Sequence, residues 1–239
     1  MIQVPLFKPQ TEWLPPEDFP DLSKYKEIAI DLETKDPDLI KMGSGSVAKR
    51  GCITGIAVAV EGWSAYYPVA HEGGGNMDKT KVFNYFRTIL KSNATKIFHN
   101  AMYDVCWLKA EGLEVNGPIV DTMIATALVD ENRRRYDLNS CSREYIGTGK
   151  DEAALYEAAK DWGVDPKAEM YKLPAMYVGA YAEKDAEITL ELWKYLKQEI
   201  INQDLKSIFS LETDLFPCLV DMRFLGVRVD VEQAHKLKE

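Results

Sequence analysis

Three short acidic patterns stand out in this chain of 239 residues: Asp31-Leu32-Glu33, Asn100 to Asp104, and Tyr181 to Asp185. Ile28-Ala29-Ile30 precedes the first and reads as a buried strand. Side chains alternate along a strand, so Asp31 and Glu33 share one face and Leu32 takes the other. Two carboxylates side by side at the end of a buried strand repel each other and are costly to desolvate. A cation between them offsets that cost, and Mg²⁺ and Mn²⁺ prefer oxygen ligands. The other reading is a surface strand end with two solvated acids. In the second pattern, Asn100 as a helix N-cap sets Asp104 one turn in, on the same face. An acid there is favoured in its ionised form, as a ligand or simply as a helix-start stabiliser. In the third, the four-residue spacing puts the Tyr181 phenol and the Asp185 carboxylate on one helix face. Ala180, Ala182, Ile188 and Leu192 give that helix an apolar surface. A Tyr and an Asp turned toward a core need partners, and a metal–water cluster supplies them. The alternative is Tyr181 as core packing and Asp185 as one exposed acid among Glu183, Lys184 and Glu187. Each pattern alone is weak. In this order they suggest a carboxylate-only two-metal site.

The elements that must position these residues follow from periodicity and breakers. Residues 1–25 carry Pro5, Pro9, Pro15, Pro16 and Pro20 and read as an extended arm. Strands are expected at Lys26–Glu33, Cys52–Val60 and Trp63–Val69, joined by a loop over 34–50 and a tight Glu61-Gly62 turn. That order suggests an antiparallel meander. After a Gly-rich loop from His71 to Asn76, Asp78 caps a helix to Lys91. A fourth strand, Lys96–His99, leads into a helix from Ala101 to Ala110, and Pro118–Val120 reads as a fifth strand. Asp121, Asp137 and Asp151 each start a helix. Pro174 suits the first turn of the longest helix, which runs to about Gln203. A helix over Leu205–Leu225, a short strand over Val227–Asp230 and a further helix start complete the chain. The fold class is α/β, a mixed sheet flanked by helices.

Composition narrows the function. A net charge of -9 argues against coating nucleic acid through bulk positive charge. It is compatible with a nuclease, whose bound metal ions reverse the local field. Cys52, Cys106, Cys141 and Cys218 are scattered, with no CxxC pair, and read as reduced thiols of a cytoplasmic protein without zinc. No apolar stretch approaches the roughly 20 residues of a membrane span. Met1 to Lys8 lacks the layout of a secretion signal.

Jointly the three patterns resemble the 3′→5′ exonuclease domain of family-A DNA polymerases, in the tyrosine-bearing branch of the DEDD nuclease superfamily. Tyr67-Pro68-Val69-Ala70-His71, Asp121-Thr122-Met123 and Arg135-Tyr136-Asp137-Leu138 look like linking segments of that domain. Asp31 through Pro37 and the Gly-rich loop look most like bacteriophage versions. The histidine branch has a His where this chain has Ala180. The resemblance covers about residues 25–203. It implies a ribonuclease H-like sheet, three antiparallel strands followed by parallel ones. The implied organisation is an arm (1–25), an exonuclease domain (26–203) and the start of a polymerase-like domain (204–239).

The resemblance also implies a mechanism. Asp31, Glu33, Asp104 and Asp185 would hold two divalent ions, Mg²⁺ or Mn²⁺. Asp31 would bridge them, Glu33 and Asp185 would complete one site, and Asp104 would hold the second. Tyr181 would orient the nucleophile, since a phenol with a pKa near 10 is a poor base at neutral pH. The substrate would be the 3′ end of single-stranded DNA, the products nucleoside 5′-monophosphates, and the partner a polymerase domain in cis or in trans. Asn100 and Arg135 are candidate substrate contacts, with a solvated loop as the other reading of Arg133 to Arg135. Pro37 stands where the family often has an apolar stacking residue. No chemistry is assigned to His71, His99 or His235. Two other readings remain: a ribonuclease D-like exonuclease acting on RNA, and a docking module with little activity. The intact acids argue against the second of these. The phage-like segments argue against the first.

Overall fold

The computed structural model describes residues 11–150 and 152–238. Pro5, Pro9 and the expected helix start at Asp151 lie outside these residues. Five strands, β1 (Glu27–Lys35), β2 (Cys52–Val60), β3 (Trp63–Pro68), β4 (Thr95–Phe98) and β5 (Ile119–Asp121), form one sheet in the order β3-β2-β1-β4-β5. β1 pairs antiparallel with β2, and β2 with β3. β4 pairs parallel with β1 and with β5. This is the mixed sheet that the sequence suggests. The helices are α1 (Leu39–Met42), α2 (Lys79–Lys91), α3 (Ala101–Ala110), α4 (Thr122–Val129), α5 (Leu138–Tyr145), α6 (Ala153–Trp162), α7 (Gly179–Asn202), α8 (Lys206–Leu225) and α9 (Val231–Lys238).

The period-2 pattern of β1 splits the interior into two cores. Ile28, Ile30 and Leu32 enter one, with Val82, Phe83 and Phe86 of α2, Trp107 and Leu108 of α3, and Phe216 and Val220 of α8. Ala29 enters the other, with side chains from α4, α5, α6 and α7. On this second face the facing residues are small. Ala29, Ala57 and Ala59 on the strands and Ala182 and Ala186 on α7 are all buried. Small side chains on both surfaces let a helix backbone lie close to a sheet. Asp31 and Glu33 point to this face, and α7 carries Asp185 across it.

Several local features depart from the sequence reading. The loop over 34–50 contains α1, and β1 runs on to Lys35. Pro174 does not open the longest helix. Short 3₁₀ turns occupy Met170–Lys172 and Ala175–Tyr177, and α7 starts at Gly179. A glycine is needed at this start, since a Cβ on Gly179 would lie 2.0 Å from the Trp13 ring. Trp13 Nε1 also donates to Glu183 Oε1 at 2.9 Å, so this part of the Pro-rich arm is fastened to α7. Ala180 is exposed and contributes nothing to the apolar surface of α7. Residues 227–230 form no strand, because no neighbouring strand supplies hydrogen bonds among the described residues.

Candidate active site

The site is built where β1 leaves regular pairing. Glu33 pairs with Gly55, but Thr34 pairs with Ile53, so Thr54 on β2 has no partner on β1. Such a bulge bends the strand and re-aims its side chains. Asp31 stands in a cross-strand row with Ala57 and Tyr66. Gly55 is needed here, since a Cβ would lie 2.0 Å from the Tyr66 hydroxyl oxygen. Tyr66 therefore reaches over β2 toward Glu33. Its hydroxyl lies 2.6 Å from His71 Nε2, and His71 Nδ1 lies 3.1 Å from the Leu173 carbonyl. The carbonyl can only accept, so Nδ1 carries the proton and Tyr66 donates to Nε2. Burial holds the His71 pKa down at about 4, so the ring is neutral at neutral pH. His71 thus anchors Tyr66.

The α3 end of the site is fastened differently from expectation. Asn100 precedes α3 in a left-handed conformation (φ 67°, ψ 52°), and its side chain caps nothing. The cap comes from Asp121, whose carboxylate accepts from the amides of Asn100 at 2.9 Å and Ala101 at 2.8 Å. The same carboxylate accepts from Met123 at 2.9 Å and so caps α4 as expected. One buried acid thereby ties two helix starts to the ends of β4 and β5. Asp104, one turn into α3, is 4% exposed. Tyr103 beside it lies 2.7 Å from the Thr34 hydroxyl and donates to Asp36 Oδ2 at 3.2 Å. Asp36 in turn accepts from the Gly45 amide, which pins the loop carrying α1 to the edge of the site. Pro37 heads that loop and is exposed, as are Leu39, Ile40 and Met42.

Asp185 raises the pKa of Asp31 and Glu33, Asp31 raises those of Glu33 and Asp104, and Glu33 raises that of Asp104, so the acids lie within electrostatic reach in a connected group. Burial and the Asp185 charge push Asp31 up to about 7, against the pull of Lys150. Glu33 is raised by burial, then by Asp31 and Asp185. Asp104 is raised by burial, then by Asp31, Asp121 and Glu33. Asp185 is raised by burial, with Lys150 opposing. It is 3% exposed, which rules out the exposed-acid reading. Tyr181 is raised by burial and then by Asp185, Glu33 and Asp31, so its hydroxyl keeps its proton. Among the described residues, no three His, Cys, Asp or Glu side chains converge as a finished metal ligand set.

One participant was not read from the sequence. The Lys150 ammonium donates to Asp185 Oδ2 and, at 3.1 Å, to the Tyr181 hydroxyl, and sits 5.0 Å from the centre of the Tyr181 ring. Lys150 follows α5 in a loop held by its own amide donating to Asn139 Oδ1 at 3.1 Å. It is 35 residues from Asp185, and only the Gly147 and Gly149 turn residues mark the spot in sequence. Arg135, by contrast, is exposed on the loop between α4 and α5, while Arg133 pairs with Glu144 at 2.7 Å.

Comparison with known proteins identifies the family. The 3′-5′ exonuclease family of family-A DNA polymerases matches residues 10–201. The chain belongs to this family. A DNA-directed DNA polymerase of Pseudomonas phage M6 is 38% identical over 240 residues, covering 97% of this chain and 36% of that protein. The DNA polymerase DpoZ of Salmonella phage PMBT28 is 30% identical over 225 residues, covering 91% of this chain and 34% of its own length. The chain thus spans about a third of these relatives. Among solved structures, Pol1 from M. smegmatis in complex with DNA primer-template and dNTP superposes with a TM-score of 0.64 at 17% identity, over 90% of this chain and 31% of that one. NrnC of Brucella melitensis with bound Mg²⁺ superposes with a TM-score of 0.59 at 18% identity, over 86% of this chain and 89% of that one. The exonuclease domain described here is phage-like, a phosphodiester hydrolase on a ribonuclease H-like fold.

Proposed function

We propose that this domain removes nucleoside 5′-monophosphates from the 3′ end of single-stranded DNA, as the proofreading part of a family-A polymerase. The observation that carries this is that Asp31, Glu33, Asp185 and Tyr181 act on one another electrostatically on the α7 side of the sheet, with Asp104 at the start of α3 within electrostatic reach of Asp31 and Glu33, in a family of 3′-5′ exonucleases. The residues suit a divalent cation. Their donors are all oxygens, and Asp185 Oδ1 is buried without a hydrogen-bond partner among the described residues. Asp31 would be shared by two ions, Mg²⁺ or Mn²⁺, with Glu33 and Asp185 on one and Asp104 on the other. Bound there, the ions supply an activated water and stabilise the leaving 3′ oxygen. Mg²⁺ in the structurally similar NrnC supports the choice of metal.

The protein's own groups do the rest. Tyr181, held protonated, donates a hydrogen bond that orients the attacking oxygen and does not act as a base. The Tyr66–His71 pair walls Glu33, and Asp121 sets the angle of α3 and hence of Asp104. Arg135, exposed and unpaired in any ion pair among the described residues, is free to meet a phosphate at the rim, and Asn100 stands at the start of α3. Residues 204–239 are the opening of a polymerase domain, supplied in cis or in trans. They carry exposed Leu211, Leu215, Leu219, Met222 and Leu225 on α8 for it to cover. The place of action is the host cytoplasm, and no described helix is long and apolar enough to cross a membrane.

The test compares DNA and RNA oligonucleotides of one sequence, with Mg²⁺ and with EDTA. Mononucleotide release from the DNA 3′ end, abolished by EDTA, is expected. A preference for RNA would overturn the proofreading assignment, because the 2′-OH is the handle that separates the substrates.

A further inference from the structure

The Lys150 side chain is 15% exposed and the Asp185 side chain 4%, so their ion pair lies almost wholly inside the protein. A buried ion pair is retained when the alternative is an uncompensated charge. Here the alternative is worse than one charge. Asp31, Glu33 and Asp185 face one another, and Lys150 is the cation that opposes all three. Its ammonium also bonds the Tyr181 hydroxyl and lies near that ring, so one cation holds both functional groups of the α7 pattern. The backbone at Lys150 is tied to Asn139, and a Cβ on Gly149 would lie 2.6 Å from Arg143 Nε. The loop therefore delivers the lysine to one place, and any yielding must come from its flexible four-carbon stem.

We infer that Lys150 is a positioning residue that acts as a built-in counter-cation: it holds Asp185 and Tyr181 in the metal-free site and competes with a divalent ion for Asp185. The inference rests on the metal-site reading above. A divalent cation on Asp185 and an ammonium on the same carboxylate repel at close range, in a setting that water screens poorly. The ion enters as the ammonium yields. The site is thus kept assembled without metal, at the cost of weaker metal uptake. A purely structural lysine predicts the opposite, since losing it would disorder Asp185 and weaken metal binding.

The experiment is a calorimetric Mn²⁺ titration of the full 239-residue chain at neutral pH, with melting temperature recorded with and without Mn²⁺. Wild type, Lys150→Met and Lys150→Arg are compared. Lys150→Met is expected to bind Mn²⁺ roughly tenfold more tightly, to melt lower without metal, and to gain more from Mn²⁺ than wild type. Lys150→Arg keeps the charge and stays near wild type. Should Lys150→Met not fold without metal, Lys150→Gln is titrated in its place with the same expectation. Equal or weaker Mn²⁺ binding by the neutral variant, with wild type binding normally, overturns the inference alone. Absence of Mn²⁺ uptake by wild type overturns the metal-site reading and the inference with it.

Discussion

α7 and α8 are neighbouring helices of 24 and 20 residues that the same kind of pattern reading finds in the sequence. Their fates differ. α7 lies across the alanine-lined face of the sheet and buries residues from Gly179 to Ile200, Asp185 among them. α8 buries Phe216 and Val220 and leaves Leu211 at 59% and Met222 at 60% exposure. α8 also accommodates Pro217 in its interior. The difference teaches that helix formation is local, whereas holding a charged group out of water takes a surrounding surface. On α7 that surface is the sheet, and the cost of burying Asp185 is met by Lys150. On α8 only Phe216 and Val220 find such a surface, and Leu211, Leu215, Leu219, Met222 and Leu225 remain exposed.

The largest effect should separate use from cost on the α7 face. Asp31→Asn removes a repelling charge, so the metal-free protein should melt no lower than wild type. Its exonuclease rate should nevertheless fall by roughly 10³-fold in a single-turnover assay, as loss of a key electrostatic group does. A variant that kept its rate would break the link between burial and function.

Next in size is acid unfolding. The pKa values of His71 and His99 are held down at about 4 by burial, below the ordinary value of 6.5. The folded state therefore binds fewer protons than the unfolded state in this window. The stability these residues contribute is full above about pH 6.5 and is lost as pH falls through 4, at most ~3 kcal/mol for each. Urea titrations from pH 7 to 4 should show a smaller loss for His71→Gln than for wild type. An unchanged slope would remove His71 from the account.

Packing comes third. Ala186→Leu pushes α7 off the sheet and should cost about 1–3 kcal/mol by urea unfolding, as overpacking does. Smallest of all, Leu215→Ser on α8 should change stability by no more than about 0.5 kcal/mol in urea unfolding. A large loss there would show that α8 is already covered, and the contrast between the helices would fail.

Much of the fold was legible because its causes are local. Strand alternation put Asp31 and Glu33 on one face, four-residue spacing aligned Tyr181 with Asp185, and Asp78, Asp121 and Asp137 cap α2, α4 and α5 as their residue type suggests. The misses share a different cause. Asn100 has the right residue type for a cap, but Asp121, 20 residues away from Ala101, reaches the α3 amides first. Pro174 has the right geometry for a helix start, but the chain first makes a 3₁₀ turn over Ala175–Tyr177, and α7 starts at Gly179, where only a glycine leaves room for Trp13. Val227 and Val229 have strand propensity, but pairing needs a neighbour.

The sequence by itself determined the elements, the faces they present and the family whose acidic patterns they carry, since short-range sterics and periodicity set all three. Only the tertiary structure decided that the acids come within electrostatic reach of one another, that Tyr66 leans on His71, and that a lysine 35 residues away is the cation paired with Asp185. Those outcomes depend on which distant segments share a low-dielectric space, and no local rule states that.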